Sequence, residues 1–476
     1  MADRRLRTAL AVCAVALVAV GVAPAPSVAA PGPTIPVGDR PLGVAFSPDS
    51  SRAYVANADG NSLSVIDTAT GTVVDMIATS PKPFDVTVSP DGTRVYASAI
   101  GEGPIPGSLD IVDPSTGTVS PQLGPLGNPS GIAADASFVY VTNATGQFTR
   151  FPAAGGAAQG CELQTPTRGV ALAHGTAYAT LYDLNGVQAV DTATFTCAAP
   201  PPPPPPTVTV DNNPWGIVYN PVRDELYVGN SGTPSVSVID PNTNTVTRTL
   251  PVGPGSRALA VSPDGDRLYI TNSTPSLQVV NFANPLRSGI ALVDPSSEGV
   301  DASPDGRLVY VTDAANDTVI PFERPTVTAP VDVSLVEGEA ATFSVTTTGD
   351  VTDVTWETSR DGATWTPVPD VSGTTLTLNP VLADSGLQVR AVVHSVVFEW
   401  TTSESALLTV TAVPTPTPTP TQTPTPTSTA TPAVPAVPEG GELSATGSTS
   451  GPLAGLALGL VVLGAGAFLL ARRRRA

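Results

Sequence analysis

Few side chains in this chain are equipped for chemistry. Of 476 residues only His174 and His394 are histidines, so a Ser-His-Asp triad, a histidine-rich metal site or a haem with histidine ligands has little material. Carboxylates are plentiful, 41 against 22 basic residues, but those in Ser-Pro-Asp-Gly phrases and at Ile-Asp ends recur along the chain. Recurrence indicates turn and capping roles. Cys161 and Cys197 belong to no CxxC or CxxCH pattern and are read as one disulfide. The reading assigns no catalytic, cofactor-binding or metal-binding residue and expects no enzyme.

Whatever these residues do, repeated elements must position them. Seven of the nine tyrosines fall in one phrase: Tyr54-Val55-Ala56-Asn57, Tyr96-Ala97-Ser98, Tyr140-Val141-Thr142-Asn143, Tyr178-Ala179-Thr180, Tyr227-Val228-Gly229-Asn230, Tyr269-Ile270-Thr271-Asn272 and Tyr310-Val311-Thr312-Asp313. Their separations are 42, 44, 38, 49, 42 and 41 residues. A period of about 40 residues made of short β-rich phrases predicts four-stranded propeller blades. Within each unit an alternating run meets Ser-Pro-Asp-Gly, intact at 89–92, 262–265 and 303–306. Proline presets φ at the second place of a tight turn, and Asp and Gly suit the later places. The tyrosine strand follows, then a third strand such as 62–67 or 235–240 and a fourth such as 246–250. Residues 249–253 (Thr-Leu-Pro-Val-Gly) close one unit, while the similar 34–38 (Thr-Ile-Pro-Val-Gly) precede the first and the last unit lacks a fourth strand. The N-terminal strand is therefore expected to complete blade 7 and hide the open edges. Pro200 to Pro206 form an insert expected to be a polyproline II loop on the rim.

These phrases resemble the YVTN-repeat β-propellers of bacterial and archaeal surface-layer and exported proteins, over residues 34–322. The resemblance implies a closed seven-bladed ring at 31–324. Related propellers include lactonases and streptogramin-type lyases, so a metal-dependent extracellular enzyme is the alternative reading, with Asp85 and Asp301 as its ligands. Cys161 at the fourth strand of blade 3 and Cys197 before that of blade 4 lie on neighbouring outer edges.

Function is better sought where the repeats disagree. One position at the start of each first strand varies freely: Leu42, Phe84, Ser130, Arg168, Trp215, Arg257 and Glu298. In a propeller that place rings one mouth of the central channel. Arg168, Trp215 and Arg257 come from consecutive blades, and an aromatic face between two guanidiniums suits a glycan or an anionic group of a ligand.

From Pro325 the period breaks. Strands are expected at 331–336, 341–346, 354–357, 375–378, 387–393 and 406–411. Trp356, the Ser359 to Trp365 turn and Ala383-Asp384-Ser385-Gly386 before Arg390 resemble bacterial Ig-like domains, implying a sandwich at 325–412 that acts as a rigid spacer. Residues 413–442 are rich in Pro and Thr and are expected to be an extended, disordered stalk through the wall.

The two ends carry targeting patterns. Arg4, Arg5 and Arg7 precede an apolar run from Ala9 to Val22 and small residues up to Ala30, a secretory signal at 1–30 suited to Sec export. At the other end an apolar run at 452–471 is followed by Arg472 to Arg475, long enough for a membrane-spanning helix. Before it stands Leu443-Ser444-Ala445-Thr446-Gly447, which resembles the LPxTG sorting signal of Gram-positive surface proteins, with Ser444 at the proline place as in variants similar to those of high-GC actinobacteria. The resemblance implies cleavage after Thr446 by a sortase and transfer to peptidoglycan, the membrane being a partner only before sorting. On hydropathy alone the same run reads as a permanent transmembrane anchor.

The net charge is −19, and both processed ends remove more Arg than acid. That balance argues against a nucleic-acid partner. The expected protein is thus all-β, a seven-bladed propeller followed by an Ig-like sandwich, a stalk and a C-terminal hydrophobic helix. It is expected at the cell wall, non-enzymatic and without a cofactor, serving binding, adhesion or envelope structure.

Overall fold

Period-two alternation dictates strands, and the residues between them dictate where the chain reverses. The computed structural model describes residues 33–163, 165–196, 207–285, 288–293 and 296–415, and the β structure lies within one compact unit ending at Pro414. Six units fold as four-stranded antiparallel sheets in chain order. Sheet 1 comprises Pro41–Phe46, Arg52–Asn57, Ser62–Asp67 and Thr72–Ala78. Sheets 2 to 6 begin at Pro83–Val88, Pro129–Ala134, Thr167–Ala173, Pro214–Asn220 and Leu259–Val261. Sheet 7 takes Ser297–Ala302, Leu308–Asp313 and Thr318–Glu323, and its outer strand is Ile35–Pro36, with Ile35 paired to Val319 and Pro36 to Thr318. The first strand of each sheet packs on that of the next, and sheet 7 packs on sheet 1, so the contacts close a propeller-like ring.

The turns work as their chemistry requires. In sheet 2 the Ser89 hydroxyl donates to Asp91 Oδ1 at 2.6 Å and accepts from Arg94 N at 3.0 Å, while Gly92 takes φ 72°. Sheets 6 and 7 repeat the arrangement with Ser262–Asp264 and Ser303–Asp305. The bond from Ser89, with those from the backbone N–H and hydroxyl of Thr93, holds the Asp91 carboxyl down at about 2. The aspartates that end third strands cap the next turn, as when Asp191 accepts from Ala193 N and Thr194 N at 2.9 and 2.8 Å.

All seven phrase tyrosines are buried between sheets. Tyr96 donates to the carbonyl of Ala153 and Tyr178 to that of Pro241, each just past the third strand of the following sheet. Tyr269 in sheet 6 finds its acceptor elsewhere, at Val397 O 3.1 Å away in the region beyond the ring.

That region forms a sheet ordered Val333–Val336, Ala406–Thr411, Leu387–His394, Asp353–Ser359 and Thr366–Ser372, with Thr401–Thr402 also on Leu387–His394. A smaller pair, Ala341–Ser344 and Thr375–Leu378, packs its Phe343 and Leu376 in one apolar cluster with the fully buried Trp356. The sequence reading did not include Thr366–Ser372, whose Pro367 and Pro369 mask the strand signal; as the last strand of the sheet it has only one neighbour to serve. The region also packs on the ring. Val397 and Phe398 are buried in a cluster with Tyr269, Val279, Val311 and Phe322 of sheets 6 and 7, and Glu399 pairs with Arg267, whose side chain is 2% exposed.

Among the described residues no helix is long and apolar enough to cross a membrane. The apolar runs 9–22 and 452–471, the stalk from residue 416 and the whole of 443–447 lie outside them.

Candidate site at the mouth of the ring

Five of the seven first strands open with the same slip in register. Pairing jumps from Pro41 to Val44, Pro129 to Ile132, Thr167 to Val170, Pro214 to Ile217 and Ser297 to Val300. A bulge frees two residues from the ladder and re-aims a side chain. The freed pairs are Leu42-Gly43, Ser130-Gly131, Arg168-Gly169, Trp215-Gly216 and Glu298-Gly299. Together with Phe84 and Arg257, the first members of these pairs line one cavity of about 230 Å³.

The second member is glycine because the next sheet comes too close for anything larger. A Cβ on Gly216 would lie 2.1 Å from Arg257 O, and one on Gly299 2.2 Å from Leu42 O. Asp85 and Ala258 take this place in sheets 2 and 6.

The phrase itself supplies a further fixing point, one not recognised in the sequence. Its third residue donates a hydroxyl hydrogen bond to the carbonyl of the mouth residue on the following sheet: Ser98 to Ser130 O at 2.8 Å, Thr180 to Trp215 O at 2.9 Å, Thr271 to Glu298 O at 2.8 Å and Thr312 to Leu42 O at 2.7 Å. Thr142 donates to Arg168 O in the same way. The signal was present as Thr or Ser at the third place in five of seven phrases. Its meaning required the neighbouring sheet.

Arg168, Trp215 and Arg257 are on one cavity, but Trp215 does not sit between two free guanidiniums. Arg257 pairs with Glu298, the mouth residue of the next sheet. Arg168 lies instead over two rings, its Cζ 4.6 Å from the centroid of Trp215 and 5.3 Å from that of Tyr182. The rings meet edge to face at 5.8 Å. Its Nε is buried without a hydrogen-bond partner. Tyr182, in the short turn Tyr182–Leu184 after the tyrosine strand of sheet 4, was missed. It is one of two tyrosines outside the repeated phrase, Tyr219 being the other, and that irregularity was its only mark.

Asp85 and Asp301 both belong to first strands, yet each is occupied with backbone. Asp85 accepts from Val86 N at 2.9 Å and, across the sheet boundary, from Ile132 N at 3.3 Å. Asp301 accepts from Ala302 N at 2.9 Å and from Phe46 N of sheet 1 at 3.0 Å. Burial pushes Asp85 up to about 7, the charge of Asp301 adding to the shift, and burial pushes Asp301 up to about 6. Among the described residues no group of three or more His, Cys, Asp or Glu is gathered to hold a metal ion.

The histidines lie away from the mouth: His174 is in the turn between the first two strands of sheet 4, 2.8 Å from Asp224, and His394 bonds Thr355 at 2.7 Å. Cys161 is in the strand Gln159–Glu162 and is disulfide-bonded. Cys197 lies outside the described residues.

No protein-family model matches the chain. It is 50% identical over 52 residues to the PE-PGRS family protein PE_PGRS18 of Mycobacterium tuberculosis (strain ATCC 25618 / H37Rv), a match spanning 11% of each protein. Its structure is similar to a chain of Kuenenia stuttgartiensis hydrazine synthase, with a TM-score of 0.50 at 19% identity, covering 60% of this chain and 96% of that one. At that identity the likeness speaks for a propeller-like all-β fold alone.

Proposed function

We propose that this chain is a cell-surface binding protein. It is exported by the Sec route, cleaved after Thr446 by a sortase and joined to peptidoglycan, and it presents a seven-bladed propeller, residues 31–324, on an Ig-like domain at 325–412 and a Pro/Thr stalk at 413–442. A glycan or protein ligand binds at the channel mouth. The observation that supports a ligand is the conjunction of constant scaffold and variable lining: in most sheets the same bulge, glycine and hydroxyl contact present side chains on one cavity that differ from sheet to sheet. Repetition builds the frame. Departure from it supplies recognition.

Fractionation of producing cells tests the anchor. The wild type is expected to stay with the wall after detergent extraction, and Thr446→Ala to move to the membrane fraction; a fully extractable wild type means a permanent transmembrane anchor instead. A glycan and protein-binding screen of the full chain tests the mouth. Alanine at Arg168, Trp215 and Arg257 together is expected to abolish binding, and unchanged binding refutes the site. The competing reading, a metal-dependent extracellular enzyme, draws on the raised carboxyls of Asp85 and Asp301 and is favoured if the purified protein carries stoichiometric Ca, Mg or Zn.

A further inference from the structure

Building on the channel mouth as a ligand site, we infer that its ligand is a sugar bearing a carboxylate, the acid held by Arg168 and the ring faced by Trp215 and Phe84.

The charges at the mouth do not cancel evenly. Arg257 and Glu298 neutralise each other across neighbouring sheets. Arg168 forms no ion pair among the described residues, and its Nε is buried and unbonded. In a chain with 41 acids to 22 bases, an arginine left without a carboxylate inside a cavity is reserved for one that arrives. The two rings hold its cation by their faces, which orients the planar fork without consuming its N–H donors. A planar carboxylate matches that fork in bidentate fashion.

The rest of the lining selects what carries the acid. Glu298 and Asp85 on other sheets also border the cavity. They offer acceptors, so the ligand brings one anionic group and several hydroxyl donors. Trp215 and Phe84 add apolar surface for the C–H face of a pyranose. A cavity of about 230 Å³ accommodates a single sugar unit or the end of a chain. A phosphate dianion meets one unpaired cation there, a poorer match.

Calorimetric titration of the full chain with glucuronate, glucose and acetate tests this. Glucuronate is expected to bind about tenfold more tightly than glucose or acetate. Arg168→Gln is expected to remove that advantage, with circular dichroism and urea unfolding like the wild type reporting that the fold is intact; Trp215→Ala weakens both sugars. Glucose binding as well as glucuronate, or an Arg168→Gln variant that keeps the preference, overturns the carboxylate assignment and leaves the channel mouth as a neutral-glycan site. Acetate binding as tightly as glucuronate overturns the sugar. No binding of glucuronate at about 10 mM overturns the inference entirely, and the broader screen then decides whether the mouth binds anything else.

Discussion

Asp85 stands where five other sheets carry glycine, and that single departure places a carboxyl in the wall of the ring. Two backbone N–H groups compensate it in part. Burial still dominates, and its pKa rises to about 7. An acid raised above its unfolded value near about 3.9 loses stability for the fold as pH climbs from there to about 7, because the unfolded chain gives up its proton first. Asp85→Asn is therefore expected to stabilise the protein by about 2 kcal/mol at pH 8 and by roughly nothing at pH 4. Urea unfolding at the two pH values checks this, and an equal effect at both refutes it. The hydroxyl contacts at the mouth belong to the same scale. In the sequence, Thr180 is one more member of a repeated phrase; in the structure it holds the carbonyl of Trp215.

Among elements, the segment from Ser395 to Trp400 ties the sheet beyond residue 325 to the ring. Ser395 Oγ accepts from Val397 N and Phe398 N at 3.1 and 3.0 Å and donates to Asp350, setting the segment's shape. Its apolar pair then completes the packing between sheets 6 and 7, and Val397 O takes the tyrosine hydroxyl that a following sheet accepts elsewhere. The region thereby becomes part of the ring's core. Phe398→Ala is expected to cost about 3 kcal/mol through the cavity it leaves. Glu399→Ala is expected to cost about 2 kcal/mol by stranding the buried guanidinium of Arg267. Hydrogen exchange locates the effect: backbone amides of 267–281 and 308–323 should lose protection first. Unchanged exchange there refutes the contact's role. None of this was legible in advance, since Val396, Val397 and Phe398 read as an ordinary apolar run between two strands.

For the molecule as a whole, closure rests on a short strand. Ile35 is 5% exposed and packs with Val55, Leu308, Tyr310 and Val319, and Arg40 N donates to Asp317 across the same seam at 2.8 Å. Ile35→Asp is expected to cost about 3 kcal/mol by burying a charge and unpairing the last sheet. Exchange of Thr318 to Glu323 should accelerate, and a variant with native exchange in that strand shows that the ring does not depend on the pairing. The repeated four-strand units and their tight turns followed from the sequence alone, because period, turn residues and alternation act over a few neighbours and repetition averages out local exceptions. The cast of the mouth was also readable, since positions that vary within a repeat stand out from it. Which of those residues pair was decided only by the tertiary structure. Arg257 could meet Glu298, and Arg168 could meet Trp215, only once ring geometry brought adjacent sheets together, for the distance between side chains 41 and 47 residues apart is set by packing and not by spacing along the chain.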